Sequence, residues 1–113
     1  MYLTHVRDVH DEPVEGGGVS VQWVIDDRTG APNFAMRVFT VKPGAHTPLH
    51  RHAWEHEVLI LSGSGIVRGG DEEREFAPED AILIPPDELH QFRNTGEGDL
   101  RFICMIPNEG RRG

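Results

Sequence analysis

The stretch "GAHTPLHRHAWEHEVLILSG" (44–63) carries most of the information about how this chain folds. It begins as a loop rich in turn residues and ends in "HEVLILSG" (56–63), the apolar pattern of a short strand. Between the two lie His50, His52 and His56, three of the seven histidines in the chain. Such a cluster is either a solvated loop or most of a metal site, because imidazole is a frequent metal ligand.

Outward from this stretch, the chain reads as short strands separated by glycine and proline turns. Strands are predicted at 19–25, 34–41, 56–63, 65–70, 71–76, 81–86, 89–94 and 100–106. No segment has an apolar stripe at helical spacing, so no helix is predicted, and 107–113 is expected to be a tail. This many evenly spaced strands indicate an all-β fold, a small barrel or double-sheet roll.

The size and composition favour one compact domain. A chain of 113 residues can form one modest core, so a single domain over 1–113 is expected. Residues 1–18 are polar and end in "EGGG", which predicts a flexible arm or a short edge strand. The single cysteine, Cys104, excludes an internal disulfide.

The charge and hydropathy exclude several partners. With 11 basic against 19 acidic residues and a net charge of −8, neither nucleic acid nor an anionic membrane surface is an expected partner. The first residues have no apolar segment typical of a signal peptide, and no apolar run approaches the ~20 residues that cross a bilayer. A cytoplasmic protein is therefore the expectation.

Strand alternation predicts that four histidines converge. Residues two apart on a strand point to the same face, so His50 and His52 share a direction at the end of their loop. His56 shares its face with the apolar residues that follow it, and His90 shares a face with Phe92. Neighbouring strands would thus present these imidazoles from one side, as a metal site inside a barrel requires.

The same stretch resembles the first sequence motif of the cupin superfamily. That motif is a glycine, five residues, His-x-His, three or four residues, a glutamate, six residues and a glycine. Four positions of this chain are in register with it: Gly44, His50, His52 and Gly63. The resemblance implies a double-stranded β-helix, or jelly-roll, barrel.

A second cupin motif is matched by "PPDELHQFRN" (85–94), which supplies Pro85, His90 and Asn94 at the corresponding spacing. Together the two motifs extend the resemblance over 34–107, the expected barrel core. Glu79 and Asp87 stand where the second motif usually has glycines. Those turns must therefore form without the freedom that glycine has at positive φ.

The usual glutamate ligand of the first motif is replaced in this chain. Both His56 and Glu57 satisfy the spacing from His52, but only His56 is also six residues from Gly63. Adjacent strand residues point to opposite faces, so only one of the two can face inward. His56 is therefore predicted as the ligand and Glu57 as an outward residue.

This arrangement is similar to the small cupins that bind manganese or another divalent metal through four histidines. The resemblance implies one divalent metal ion per chain, held by His50, His52, His56 and His90. Manganese or iron is favoured by the resemblance, and zinc, nickel or copper also suit an all-imidazole site.

Two further strands supply residues that could line a pocket around the metal. Arg37 and Phe39 share one face of the strand at 34–41, and Phe102, Cys104 and Ile106 share one face of the last strand. From sequence alone, ordinary core packing is the preferred explanation of the aromatics.

Arg37 and Trp54 differ from the other pocket candidates. Arg37 would be buried, and a buried arginine needs an anionic partner, either a protein carboxylate or a substrate. Trp54 lies between the histidines and is expected at the pocket mouth or in a subunit contact.

Three functions stay open on the sequence. The first is a metal-dependent oxygenase or dioxygenase acting on a small organic molecule, for which an unsaturated substrate with an anionic or enol group suits an apolar pocket. The second is a non-catalytic, metal-loaded module that senses or stores a small ligand. The third, isomerase or decarboxylase chemistry, needs an acid or base near the metal. A homodimer is also expected, because the strand at 19–25 and the arm before it could cover an exposed sheet edge.

Overall fold

The computed structural model describes residues 1–112 and confirms the all-β architecture. Nine strands follow one another along the chain: β1 (Glu12–Pro13), β2 (Val19–Ile25), β3 (Phe34–Val41), β4 (His56–Ser62), β5 (Gly65–Gly69), β6 (Glu72–Phe76), β7 (Ala81–Ile84), β8 (His90–Asn94) and β9 (Leu100–Pro107). The eight strands predicted from the sequence are all present, with ends that shift by one or two residues.

The strands form two antiparallel sheets. The larger sheet has six strands in the order β1-β2-β3-β9-β4-β7, and the smaller has three in the order β6-β5-β8. Consecutive positions in the larger sheet combine strands that are far apart in sequence, since β9 lies between β3 and β4. This pairing brings the pocket candidates of β3 and β9 next to the histidine that opens β4.

Alternation along β9 shows how the core is built. Its residues are buried at every second position, with Leu100, Phe102 and Cys104 facing the other sheet. The ring of Phe102 stacks on Phe39 and on Phe92, with ring centroids 5.1 Å and 4.8 Å apart. Phe102 thus forms one aromatic contact within the larger sheet and one between the two sheets, in the core of the barrel.

The prediction that the chain has no helix is wrong at its C-terminal end. Residues expected to be a tail form a short helix, α1 (Asn108–Arg112), and single 3-10 turns occur at Val6–Asp8 and Asp27–Thr29. Asn108 Nδ2 donates to the carbonyl of Ala31 at 2.8 Å, and Arg111 Nε donates to Asp27 Oδ1 at 2.6 Å. These contacts with distant residues hold α1 in place, and a search for an apolar stripe does not detect them.

The helical segments also bear on whether the chain can cross a membrane. Among residues 1–112, no helix has the length and apolar character that crossing a bilayer requires.

The polar arm is folded against its own chain. Gln22 Nε2 donates to the carbonyl oxygens of Val6 and Val9 at 2.8 Å and 3.1 Å. The two residues of β1 pair with Val21 and Ser20 of β2. Of the two forms predicted for the arm, a flexible segment or a short edge strand, the structure therefore shows the edge strand. It covers part of the edge of β2 in the same molecule.

Two turns adopt the backbone conformation expected of the glycines that they lack. Glu79 has φ 75° and Asp87 has φ 66°, both in the left-handed region. This conformation costs a residue with a Cβ about 1–2 kcal/mol. The amide of Glu79 donates to the carbonyl of Ile60 at 2.9 Å, and the amide of Asp87 donates to that of His52 at 2.6 Å. The second turn thus links β7 to the histidine-bearing loop.

Candidate metal centre

Four histidines gather at one end of the barrel. His50 and His52 lie in the loop between β3 and β4, His56 begins β4, and His90 begins β8. The loop is joined to β8 by paired backbone hydrogen bonds, in which the amide of His90 donates to the carbonyl of His50 at 3.0 Å and the reverse bond is 3.3 Å. The ring centroids of neighbouring imidazoles are 4.2–5.2 Å apart.

Three of these imidazoles could hold a metal ion. Ligand nitrogens of His50, His52 and His90 all lie within 4.8 Å of one another. Nitrogens about 2 Å from a shared ion are at most about 4 Å apart, so small side-chain rotations bring the three onto one ion.

His56 falls outside that trio by nitrogen distance, yet its ring borders the same space. Its centroid is 4.6 Å from that of His90 and 5.2 Å from that of His52. The side chain is buried, and its Nε2 has no hydrogen-bond partner among the described residues. Buried polar atoms are nearly always paired, so an unpaired imidazole nitrogen beside three other imidazoles is the observation that fits a metal-binding site.

The second nitrogens of the two buried histidines are held by the protein. His90 Nδ1 lies 2.9 Å from the carbonyl oxygen of Glu88, which can only accept, so Nδ1 carries the hydrogen and Nε2 keeps a lone pair. His56 Nδ1 lies 3.3 Å from Cys104 Sγ and 3.3 Å from Arg37 Nη2. With its hydrogen directed at Cys104 Sγ, His56 also presents a lone pair at Nε2.

Burial keeps these imidazoles uncharged. Desolvation is the largest cause that lowers the pKa of all four, and the positive charge of Arg37 and of the neighbouring imidazoles lowers it further at most of them. The pKa falls to about 4 for His52 and to about 3 for His56. Metal ligation requires neutral imidazole, so the site is in its binding form at neutral pH.

The histidines open into a cavity of about 170 Å³. Four of the six residues predicted from the sequence to line a pocket do so: Arg37, Phe39, Phe102 and Cys104. Five lining residues were not on that list: Val14, Val21, Thr47, Pro48 and Phe92. Strand alternation could have found Phe92, which shares a face with His90, but nothing in the polar arm marks Val14 as part of a cavity.

Trp54 and Ile106 were predicted to line the pocket, and they do not. A Cβ added at Gly110 would lie 2.8 Å from the Trp54 ring and 3.0 Å from Ile106, so α1 packs directly against both. Ile106 is a core residue under that helix. Trp54 instead stacks on the His52 ring, with centroids 4.7 Å apart and the planes within 5° of parallel. It therefore fixes the orientation of a candidate ligand from outside the cavity.

Glu57 and His46 point away from the histidine cluster. Glu57 is exposed and pairs in register with Leu83 and Met105 on the outer side of the larger sheet. His46 Nδ1 lies against the carbonyl of Thr47 beside a different groove. The expected alternation between an inward His56 and an outward Glu57 thus appears in the structure.

Arg37 is the charged side chain of the cavity wall. Its guanidinium carbon lies 5.2 Å from the centroid of the Trp23 ring and 4.8 Å from that of Phe39. Nη2 donates to Cys104 Sγ at 3.0 Å, and Nε is buried without a hydrogen-bond partner among the described side chains and backbone. Burial raises the pKa of Cys104, against the opposing effect of Arg37, so the sulfur is a neutral thiol. In the part of the chain whose side chains are described, no carboxylate lies within 4.0 Å of Arg37.

Comparison with known proteins agrees with this architecture. The Cupin_2 model, described as a cupin domain, matches residues 37–106. Among curated proteins, the 1-methylthio-D-xylulose 5-phosphate methylsulfurylase of Rhodospirillum rubrum is 40% identical over 74 residues, which are 66% of this chain and 47% of that protein. The chain spans less than half the length of the first curated relatives that it matches.

Two solved structures are similar over more of their length. The polyketide cyclase RemF from Streptomyces resistomycificus superposes with a TM-score of 0.86 at 34% identity, covering 96% of this chain and 80% of that one. A cupin-2 domain protein from Rhodospirillum rubrum superposes with a TM-score of 0.78 at 32% identity, covering 88% of this chain and 68% of that one. The named relatives have different activities, so the match defines the fold and leaves the reaction open.

Proposed function

The chain belongs to the Cupin_2 family, and we propose that it is a metal-dependent enzyme of that family acting on a small organic molecule. One observation carries the proposal: four neutral imidazoles meet in one cavity, where the buried Nε2 of His56 has no partner among the described residues. A site of this kind suits a metal ion, because the described part of the chain provides no hydrogen-bond partner for that nitrogen.

The proposed ligands are His50, His52, His56 and His90, binding one divalent ion. Manganese or iron is the first choice, with zinc, nickel or copper as further possibilities for all-imidazole ligation. Four neutral ligands leave the whole +2 charge on the ion, so when bound it supplies a strong Lewis acid and, as manganese or iron, redox chemistry.

The residues of the chain determine what else the site can do. Phe39, Phe92 and Phe102 form an apolar wall that excludes water and holds an unsaturated or aromatic body. No carboxylate lines the cavity among the described residues. The Glu88 side chain, the nearest candidate base in sequence, lies against Gly69 and Gly70 and borders a separate groove. This arrangement favours oxygenase chemistry over an isomerase or decarboxylase that needs a carboxylate to move a proton.

The size of the cavity limits the substrate. Pockets for drug-sized ligands usually measure about 300–1,000 Å³. At about 170 Å³ the cavity accommodates a small molecule, or one end of a larger molecule that extends past Val14 of the arm. We therefore propose a substrate of roughly one aromatic ring with its substituents.

A second candidate is ring closure without oxygen. It is favoured by one observation, the similarity to the polyketide cyclase RemF over 96% of this chain at 34% identity. The same site would act there as a Lewis acid on a carbonyl compound, with no redox change at the metal.

Substrate turnover with and without oxygen tests these candidates. The protein is loaded separately with manganese and iron and incubated with unsaturated carboxylates, enols and phenols, aerobically and anaerobically. Product and oxygen uptake that require air support the oxygenase, whereas equal product in both atmospheres supports ring closure. Ligand binding without product across the panel overturns both and leaves a sensor or storage role. Glu57→Ala serves as the loaded control, and His56→Ala as the metal-poor one.

Homodimer formation stays a prediction. The outer side of the larger sheet exposes Phe34, Leu59 and Leu83, at 61%, 41% and 59% of their surface, which is consistent with a subunit contact. Sedimentation at micromolar concentration tests it, and a strict monomer would contradict it.

A further inference from the structure

Arg37 is the single charged residue among the described residues that line the cavity, and no described carboxylate lies within 4.0 Å of it. We propose that Arg37 binds an anionic oxygen of the substrate, so that the site selects small organic carboxylates or enolates over neutral analogues. The inference rests on the proposed function in that it concerns the same cavity, and it names the class of molecule that the cavity takes.

The first argument is the absence of a protein anion. A partly buried guanidinium is stabilised mainly by a carboxylate or another anion, and the side chains described for this chain provide none within 4.0 Å. The polar groups that do contact Arg37 are the thiol of Cys104 and the imidazole of His56, both neutral. No described carboxylate lies within 4.0 Å of Arg37, which favours the substrate of the two partners considered from the sequence.

The second argument is the way in which the side chain is held. Arg37 pairs in register with Trp23 of β2 and Cys104 of β9, at the centre of the larger sheet. Its guanidinium also lies near the rings of Trp23 and Phe39, which attract a cation without neutralising it. A charge fixed by rigid strands in this way is positioned for a ligand before the ligand arrives.

The third argument concerns hydrogen-bonding capacity. Arg37 Nε is buried and has no hydrogen-bond partner among residues 1–111, whose side chains are described. When His56 uses Nε2 as a ligand atom, its Nδ1 carries a hydrogen, so Arg37 Nη2 at 3.3 Å has no acceptor there. The guanidinium then has donors available beside the imidazole that faces the metal site. A planar carboxylate or an enolate oxygen matches such donors, whereas a neutral amide or alcohol matches them less well.

The test compares an anionic probe with its neutral analogue. Benzoate and benzamide are titrated into metal-free and manganese-loaded protein, and binding is followed by calorimetry and by tryptophan fluorescence, since Trp23 contacts Arg37. We expect benzoate to bind about 10- to 100-fold more tightly than benzamide, the range of a charge-assisted hydrogen bond. Equal affinity for the two probes in the wild-type protein would overturn the proposal without any variant.

Three variants test whether Arg37 is the source of the preference for benzoate. In metal-free protein, Arg37→Met should abolish the preference for benzoate, and Arg37→Lys should retain part of it because the charge is kept. The manganese content of loaded Arg37→Met should equal that of the wild type. Arg51→Met, an exposed arginine between two of the histidines, makes the same change in net charge and should bind benzoate like the wild type. An undiminished preference in folded Arg37→Met overturns the proposal. Loss of manganese from that variant overturns it as well, since Arg37 would then act by orienting His56.

Failure of the proposed function is distinguishable from failure of this inference. A benzoate preference that depends on Arg37, in a protein that turns over no substrate in the panel, supports anion selection and contradicts the enzyme. Turnover of neutral and anionic substrates with equal KM supports the enzyme and contradicts anion selection.

Discussion

The two ends of the barrel treat buried polar side chains in opposite ways. At one end Asn94 is 3% exposed and its amide is fully used. Its Nδ2 donates to the carbonyls of Val41 and Gly98, both at 2.8 Å, and its Oδ1 accepts from the amide of Gly96 at 2.9 Å. At the other end His56 is 6% exposed, and its Nε2 has no partner in the part of the chain that the structure describes.

The difference separates structural from functional polar groups within one core. Of the four buried polar side-chain atoms without a partner in the described part of the chain, two belong to residues that line the histidine cavity, Arg37 Nε and His56 Nε2. The other two, Trp54 Nε1 and Asn108 Oδ1, lie at α1, outside the cavity. Folding alone gives no reason to bury unpaired donors and acceptors together, because each costs stability. Binding of a ligand that pairs with these atoms does give a reason to bury them together.

The largest effect is expected from a substitution of Asn94, at the end of the barrel where the buried amide is fully hydrogen-bonded. Asn94→Ala leaves three backbone groups without their partner, so we expect the free energy of unfolding of the metal-free protein to fall by about 3 kcal/mol. Urea denaturation measures it. His56→Ala removes an unpaired group and should cost about 1 kcal/mol or less in the same metal-free state, since relief of the unpaired nitrogen offsets lost packing. Equal losses of unfolding free energy in the two variants would contradict the distinction between the two ends of the barrel.

A smaller effect appears on acidification. Burial lowers the pKa of His52 to about 4 and of His56 to about 3, whereas unfolded histidine titrates near 6.5. The unfolded chain therefore binds protons that the folded chain does not, and the stability of metal-free protein is lost as pH falls from about 6.5 toward 4 and then 3. Removing one such histidine should reduce the slope by up to about 1.4 kcal/mol per pH unit.

The difference between wild type and His56→Ala in urea denaturation, measured from pH 7 to pH 4.5, isolates this contribution from the acidic residues common to both proteins. Parallel curves would show that His56 titrates normally in the folded state. Asn94 carries no titrating group, so its end of the barrel contributes nothing to the difference.

The smallest expected effect concerns the two strained turns. Glu79→Gly and Asp87→Gly relieve a positive φ, at 75° and 66°, but add freedom to the unfolded chain. We expect a net gain of less than about 1 kcal/mol in each, seen as a small rise in the urea midpoint. Asp87 lies on the histidine side, where its amide donates to His52, and Glu79 does not. A loss of stability confined to Asp87→Gly would indicate that the Asp87 side chain supports the histidine loop.

The sequence is a good guide where one local rule decides the structure. Alternation of apolar residues predicts the strands, and motif spacing predicts that His56 turns inward while Glu57 turns outward. Positive φ at Glu79 and Asp87 follows from their places in the second motif. Each of these features depends on neighbours within a few residues, which a single sequence displays directly.

The features that the sequence does not predict depend on contacts between distant segments. Helix α1 exists because Asn108 and Arg111 bind residues near 30, about 80 positions earlier. The same helix covers Trp54 and Ile106 and keeps both out of the cavity. Val14 reaches the cavity only because the arm folds back along β2. No periodicity within these segments records such partners.

The central claim is that His56, and not Glu57, completes a metal site with His50, His52 and His90. The direct measurement is the metal content of wild-type, His56→Ala and Glu57→Ala protein, purified without added metal and then titrated with manganese. Each variant is first shown to be folded by circular dichroism.

We expect one ion per chain in the wild type, the same in Glu57→Ala because that side chain is exposed on the outer face, and a sharp loss in His56→Ala. Loss of the ion from Glu57→Ala with retention in His56→Ala would contradict the account.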